Sequence, residues 1–242
     1  MLFESIEDRK DLWLVYELCP GKTLTEHCFE VRGEFYHGER LYKVHHGSLY
    51  HRLRTDQALA RDLIARLCDA LGVLARLSIV HADLKSDNII VDYDSQTRTL
   101  RGLKIIDFGS SFLLNSHGYE VENQQEFAAS TPEYLPPEIH QYLAKRFGTT
   151  QSSLSDFSEI SYAFDMWALG SILVELLSGF PLWLSLKSRV SSALDQRSII
   201  NYGLFGVAGR DNSKIHKKQM ELLGSGFQKL LKVLSQSYDL AG

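Results

Sequence analysis

The stretch that most restricts how this chain folds is His81–Asn88, reading HADLKSDN and running straight into Ile89, Ile90 and Val91. A regular helix would have to carry polar residues at both ends of this octapeptide and then pass through β-branched positions, which favour strand. It therefore reads as a loop that feeds a strand. A second apolar run, Leu103–Ile106, ends in Asp107, Phe108 and Gly109, an acid followed by an aromatic residue and a flexible glycine. The runs Ile89–Val91 and Leu103–Ile106 read as two strands joined by the polar turn Asp92–Arg101.

The polar side chains on these two segments suit phosphoryl transfer, which asks a protein to position a hydroxyl, hold a metal and neutralise charge developing on oxygen. Asp83 is a candidate acceptor for the hydroxyl proton, and Lys85 a cation to face the transferred group. Asn88 offers an amide oxygen to Mg²⁺, a hard cation that takes oxygen ligands. Asp107 supplies the second metal ligand, so the two segments together make a metal-bridged site.

Two further segments follow in order, TPEYLPPE (Thr131–Glu138) and DMWALG (Asp165–Gly170). With HADLKSDN and IIDFG they resemble the protein kinases: a catalytic loop ending in a metal-binding Asn, an Asp-Phe-Gly metal site, a Pro-Glu substrate-binding segment and a buried central helix. The resemblance implies an α+β, mainly helical protein-kinase-like fold, comprising the C-terminal lobe with a truncated N-terminal lobe. Residues 1–242 would be a partial kinase domain, with 1–18 the last N-lobe hairpin and hinge entry, 19–242 the C-lobe, and 23–53 an atypical insertion. The Gly-rich phosphate cover, the strand lysine and its helix glutamate would lie upstream of Met1. Lys10 and Lys22 read as solvated surface lysines rather than replacements.

The resemblance also implies ATP and Mg²⁺. DLWLVYELCPG resembles the strand entering the hinge: Tyr16 would stand at the back of the pocket, the Glu17 carbonyl and Cys19 amide would meet the adenine, and Ile90 would lie beneath it. Thr23 falls where many kinases place a ribose-binding acid. Lys85 with Thr131 goes with Ser/Thr acceptors in a protein substrate. Asp87 could draw a basic substrate residue, although an exposed loop acid is as often simply solvated. The implied function is ATP- and Mg-dependent transfer to Ser/Thr, with an N-terminal lobe supplied by a longer chain or a partner. The alternative is a catalytically deficient kinase-like module acting as a scaffold. A small-molecule phosphotransferase is disfavoured by TPEYLPPE and DMWALG, which shape a peptide groove and brace the protein-kinase lobe.

At 242 residues and 44% hydrophobic content, the chain can bury a sizeable core. A formal charge of −4 without a basic block gives no electrostatic case for nucleic acid or an anionic membrane. Cys19, Cys28 and Cys68 are too scattered for a disulfide framework, so the expected setting is reducing, cytoplasmic or nuclear. The early charges Glu4, Glu7, Asp8, Arg9 and Lys10 argue against a secretory leader. Glu175, Gly179 and Pro181 interrupt Trp167–Leu184, the longest apolar stretch, so no membrane span is expected.

Leu2–Ile6 and Asp11–Glu17 read as a hairpin about a charged turn. Leucines and Ile64 spaced by three and four from Leu59 to Leu77 predict an amphipathic helix from about Thr55, capped by Thr55 or Asp56. The insertion contains FEVRGEFYHGERLYKV, an added hairpin or a docking loop. His45, His46 and His51 with Cys28 fit no zinc spacing and read as surface histidines. Between Asp107 and Glu138 there is no lysine or arginine, while Glu120, Glu122 and Glu126 would repel an added phosphate. Ala82 stands where regulated kinases carry a phosphate-receiving arginine. No phosphorylation switch is therefore expected at Ser110, Ser111, Ser116, Tyr119 or Ser130.

Pro136 and Pro137 open a helix with Ile139 and Leu143 facing inward and His140, Lys145 and Arg146 outward. Thr149–Glu159 reads as a surface link. Asp165 starts a helix apolar on nearly all faces, hence buried, whose acid can accept from backbone amides of the catalytic loop. Ser191–Tyr202 and Lys217 to about Ser235 read as further helices. The resemblance implies that Glu138 pairs with an arginine beyond these helices, yet no arginine follows Arg210, which predicts lowered stability unless Glu138 is exposed or pairs with Lys217, Lys218 or Arg210.

Overall fold

The computed structural model describes residues 2–36, 39–114, 130–147, 161–179, 181, 189–190, 212–221 and 224. The chain opens with strands β1 (Leu2–Glu7) and β2 (Leu12–Tyr16), an antiparallel hairpin as the sequence predicts. Its turn is set by Asp8, whose Oδ1 accepts from the amides of Lys10 and Asp11. Phe3, Ile6, Leu12, Trp13, Leu14, Val15 and Tyr16 are all exposed, so this hairpin carries apolar side chains on both faces.

A short strand β3 (Lys22–Thr23) leads into helix α1 (Leu24–Cys28). The run read as an added hairpin or a docking loop forms a hairpin, β4 (Phe29–Tyr36) and β5 (Glu39–His46). β5 also pairs in parallel with β10 (Arg189–Val190), a strand from far along the chain.

Helices α2 (Ser48–Thr55) and α3 (Gln57–Arg76) follow. Asp56 caps α3 by accepting from the amides of Ala58 and Leu59, and Thr55 instead ends α2. Leu59, Leu63, Leu67, Leu71 and Leu74 lie buried along one face of α3, as their spacing predicts. They meet Leu24, Leu49, Ile89, Val91 and the buried side of helix α5 (Ala163–Ser178) in the main core.

After β6 (Ile79–Val80), the loop turns through a single 3₁₀ turn, Ser86–Asn88, into β7 (Ile89–Asp94), which pairs with β8 (Thr99–Ile105). These strands are longer than the sequence suggested. Asp94 Oδ1 accepts from the Gln96 and Thr97 amides and Arg98 takes a positive φ of 60°, a turn tight enough for pairing to reach Asp94 and Thr99. β9 (Phe112–Leu113) returns to pair with β6.

Helix α4 (Pro137–Phe147) starts at the second proline. Ile139 and Leu143 are buried as expected, but His140 is fully buried rather than outward, its ring nitrogen bonded to the Pro132 carbonyl at 2.8 Å. A hydrogen-bonding tip satisfied by backbone lets an otherwise polar ring enter the core. Eight of the sixteen residues of α5 are buried, while Ala163, Met166 and Gly170 are exposed, so one face of its N-terminal half reaches solvent. Helix α6 (Asn212–Glu221) begins earlier than the predicted Lys217. Glu138 is exposed, which removes the expected penalty for a buried acid. The side chains of Lys145 and Arg146, the link 149–159, the stretch 191–202 and residues 222, 223 and 225–235 of the last predicted helix lie outside the described residues.

Candidate active site

The polar loop is held from beneath. Asp165, 4% exposed at the start of α5, accepts from the backbone amides of His81 at 2.8 Å and Ala82 at 3.1 Å. This is the support the sequence predicts for that acid. Burial pushes its carboxyl above the ordinary range, while the two amide bonds pull the other way. Ala82 sits at φ 63°, a left-handed conformation uncommon for a residue with a Cβ. The two anchored amides hold that backbone in place, and a strained residue persists only where its surroundings fix it. Ala82 is itself buried, packed in a small apolar cluster with Val80, Leu135, Ile139, Leu143 and Phe164.

From this anchored point the functional side chains converge. Asp83 Oδ1 accepts from the Thr131 amide at 2.9 Å, and Oδ2 from Lys85 Nζ at 2.7 Å. Lys85 Nζ also donates to Thr131 Oγ1 at 2.9 Å. Asn88 Nδ2 donates to the Asp83 carbonyl at 2.8 Å. It also donates to Asp83 Oδ2 at 3.3 Å, so both amide protons face Asp83 and the amide oxygen is the atom available to a cation.

Asp107 lies two residues beyond the end of β8. The Ile106 amide donates to the Asn88 carbonyl at 2.9 Å, so the two candidate metal ligands follow directly from one backbone bond. His81 fastens the same corner, its Nε2 bonded to the Ile106 carbonyl at 2.9 Å and its ring 4.8 Å from that of Phe108. Asp107 has φ 63° and is exposed, its Oδ1 taking only a long 3.4 Å bond from the Gly109 amide among the hydrogen bonds described. Among the described residues no three His, Cys, Asp or Glu side chains gather as a metal cluster. One carboxylate and one amide oxygen nevertheless fit Mg²⁺, which is usually held by one or two protein carboxylates together with waters and phosphate oxygens.

The residues that the resemblance assigns to the nucleotide pocket lie toward the end of the β3-β7-β8 sheet that adjoins Asn88. Thr23 is the register partner of Ile90, and Ile90 of Lys104. Lys104 Nζ pairs with Glu17 at 2.9 Å and holds its carboxyl below the usual range. Tyr16 ends β2 with its side chain 58% exposed, and Cys19 is half-buried. The Thr23 hydroxyl accepts from the Glu26 amide and Glu26 returns the bond, a capping box that gives this side chain a helix-starting role.

Glu175, Ser86, Tyr134 and His46, to which the sequence assigned no contact, complete the framework. Glu175, buried on α5, accepts from Ser86 Oγ in the loop and from the Tyr134 hydroxyl in the segment after Thr131. The available signal was a lone acid inside an apolar helix, which must find partners. His46, expected on the surface, is half-buried: it stacks on Tyr50 with 4.1 Å between centroids and bonds the Gly179 carbonyl at 2.9 Å. Among the other residues of the doubted metal group, Cys28 is buried and His45 and His51 are exposed.

The protein kinase domain family model matches residues 1–237. The chain belongs to the protein kinase domain family. It is 33% identical over 162 residues to a probable serine/threonine protein kinase IRE4 of Arabidopsis thaliana, covering 56% of this chain and 14% of that protein. It is 31% identical over 207 residues to the human serine/threonine-protein kinase Sgk2, covering 81% of this chain and 49% of that protein. A chain in the crystal structure of the yeast RNA Pol II CTD kinase CTDK-1 complex matches with a TM-score of 0.36 and 23% identity, covering 72% of this chain and 50% of that one. This chain therefore spans at most about half the length of these three proteins. No described helix is long and apolar enough to cross a membrane.

Proposed function

We propose that residues 1–242 form the catalytic lobe of a Ser/Thr protein kinase that transfers the terminal phosphoryl group of ATP, with Mg²⁺, to a hydroxyl of a protein substrate. The observation that carries this reading is the convergence on Asp83: Lys85, Thr131 and Asn88 all bond to it, and Asn88 is linked through backbone to the residue before Asp107. In this reading Asp83 orients the acceptor hydroxyl and takes its proton. Lys85, fixed between Asp83 and Thr131, faces the oxygens on which charge develops. Asn88 and Asp107 would hold Mg²⁺, which when bound neutralises charge on the phosphate oxygens. Ile90 and the hinge backbone at Glu17 and Cys19 would seat the adenine, with Tyr16 behind it and Thr23 near the ribose.

The exposed apolar faces of β1 and β2 support a second part of the proposal. A lone two-stranded hairpin is marginal in water, and seven large apolar side chains on it are open to solvent. We read it as the rim of an N-terminal lobe, supplied by a longer chain or a partner, that brings the phosphate cover and strand lysine. The free, scattered cysteines suit a reducing cytoplasmic or nuclear setting.

The test is Mg-ATP-dependent labelling of a generic Ser/Thr protein by residues 1–242 alone and by the same residues fused to a kinase N-terminal lobe. The fused form should be active and lose activity on Asp83→Ala or Asp107→Asn, and the lone chain should show little turnover. A fused form that binds Mg-ATP yet transfers nothing would favour the scaffold reading. Turnover by residues 1–242 alone, lost on Asp107→Asn, would overturn the need for a second lobe.

A further inference from the structure

The buried carboxylate of Glu175 joins two segments that also meet at the site. Ser86 lies between Lys85 and Asn88, and its hydroxyl donates to Glu175 Oε2. Tyr134 lies three residues after Thr131, and its hydroxyl donates to Glu175 Oε1. Above them, Thr131 donates to Asp83 through its amide and accepts from Lys85 through its hydroxyl. The contacts close a ring: Asp83, Thr131, Tyr134, Glu175, Ser86, Lys85 and back to Asp83. Ser86, Tyr134 and Glu175 are 1%, 3% and 1% exposed, so the lower half of the ring is shielded from competing water. Burial, then the charge of Glu175, pushes the Tyr134 hydroxyl well above its ordinary range, which keeps it a donor.

A segment fixed to the loop only at Thr131 could pivot about that contact. A second anchor on a rigid helix fixes its tilt as well. α5 also holds the loop at Asp165, so one helix sets both the height of Asp83 and the angle of the segment facing it.

We infer that Ser86, acting through Glu175 and Tyr134, is a positioning residue that locks the catalytic loop to the substrate-binding segment. The inference deepens the kinase reading and rests on it for its catalytic meaning, while the coupling between the segments is a property of the fold. A buried carboxylate is stabilised by donors, and Ser86 and Tyr134 each supply one to Glu175.

The experiment compares wild type, Ser86→Ala, Tyr134→Phe, the double variant and Ser171→Ala. The last removes a buried hydroxyl that bonds only within α5, to the Trp167 carbonyl. Amide hydrogen exchange is followed with no nucleotide present. Ser86→Ala should speed exchange about tenfold at residues 133–135 as well as at 84–88. Ser171→Ala should change neither segment. In the N-lobe-fused form, Ser86→Ala should lower kcat on the order of ten- to a hundredfold with KM for ATP within about twofold, and the double variant should cost little more than the worse single one. Exchange at 133–135 unchanged by Ser86→Ala would overturn the inference, as would Ser86 and Tyr134 effects that multiply independently. The exchange arm needs no turnover, so a fused form that never transfers phosphate would sink the kinase reading and leave the coupling to be judged on exchange alone.

Discussion

Replacing Asp165 with alanine is the sharpest perturbation of the framework that holds the loop. It strips two buried amides, on His81 and Ala82, of acceptors now at 2.8 and 3.1 Å. Each buried donor left without a partner costs about 1–3 kcal/mol, which gives about 2–6 kcal/mol for the pair. Burial pushes the Asp165 carboxyl up, so deleting it also relieves a desolvation cost, and about 2–4 kcal/mol is the expected net loss. That is a large share of the roughly 5–15 kcal/mol that holds a domain together. Urea unfolding followed by circular dichroism should show a midpoint lower by about 1–2 M. Asp165→Asn keeps one acceptor but turns an amide donor toward a backbone N–H, and should lose about half as much. A midpoint shift below about 0.3 M for alanine, or a larger loss for asparagine than for alanine, would refute the reasoning.

Other perturbations probe separate contacts. Gly179 has φ 79°, and a Cβ there would stand 2.6 Å from Tyr50 Oη and 2.9 Å from His46 Nε2, so Gly179→Ala should lower stability by at least about 1–2 kcal/mol in the same assay. Burial above all, then the charges of His51, Arg54 and His45, lowers His46 below its ordinary 6.5, against the pull of the Gly179 carbonyl. The unfolded chain thus protonates first as pH falls, so stability present above pH 6.5 declines below it. His46→Phe should flatten that decline, and an unchanged slope would assign it elsewhere. Ser111, whose hydroxyl donates to the Phe108 carbonyl, should tolerate a phosphomimetic Glu with a rate change in the fused form below about tenfold. A larger rise would contradict the electrostatic argument against a phosphorylation switch.

Much of the site was legible because its chemistry lies in short contiguous runs. HADLKSDN and IIDFG carry Asp83, Lys85, Asn88 and Asp107 in sequence, and the strand pairing that brings Asn88 beside Ile106 follows from two apolar runs. The support from Asp165 was readable because an acid opening an apolar helix has few other uses. What escaped depends on distant pairings. Nothing near Ser86 announces that its hydroxyl will meet Glu175, 89 residues away. His140 looked outward by polarity, and only the Pro132 carbonyl explains its burial. The insertion hides its structure for the same reason: His46 is held by Tyr50 and by Gly179, 133 residues on, a contact invisible to local pattern.

The central claim is that Asp83, Asn88 and Asp107 share one magnesium-nucleotide site, and a crystal structure with Mg²⁺ and a non-hydrolysable ATP analogue tests it most directly. The prediction is a metal about 2.0–2.1 Å from both Asn88 Oδ1 and an Asp107 carboxylate oxygen, with the terminal phosphate facing Asp83. A nucleotide whose metal is held by other residues, with Asn88 and Asp107 turned apart, would contradict the account.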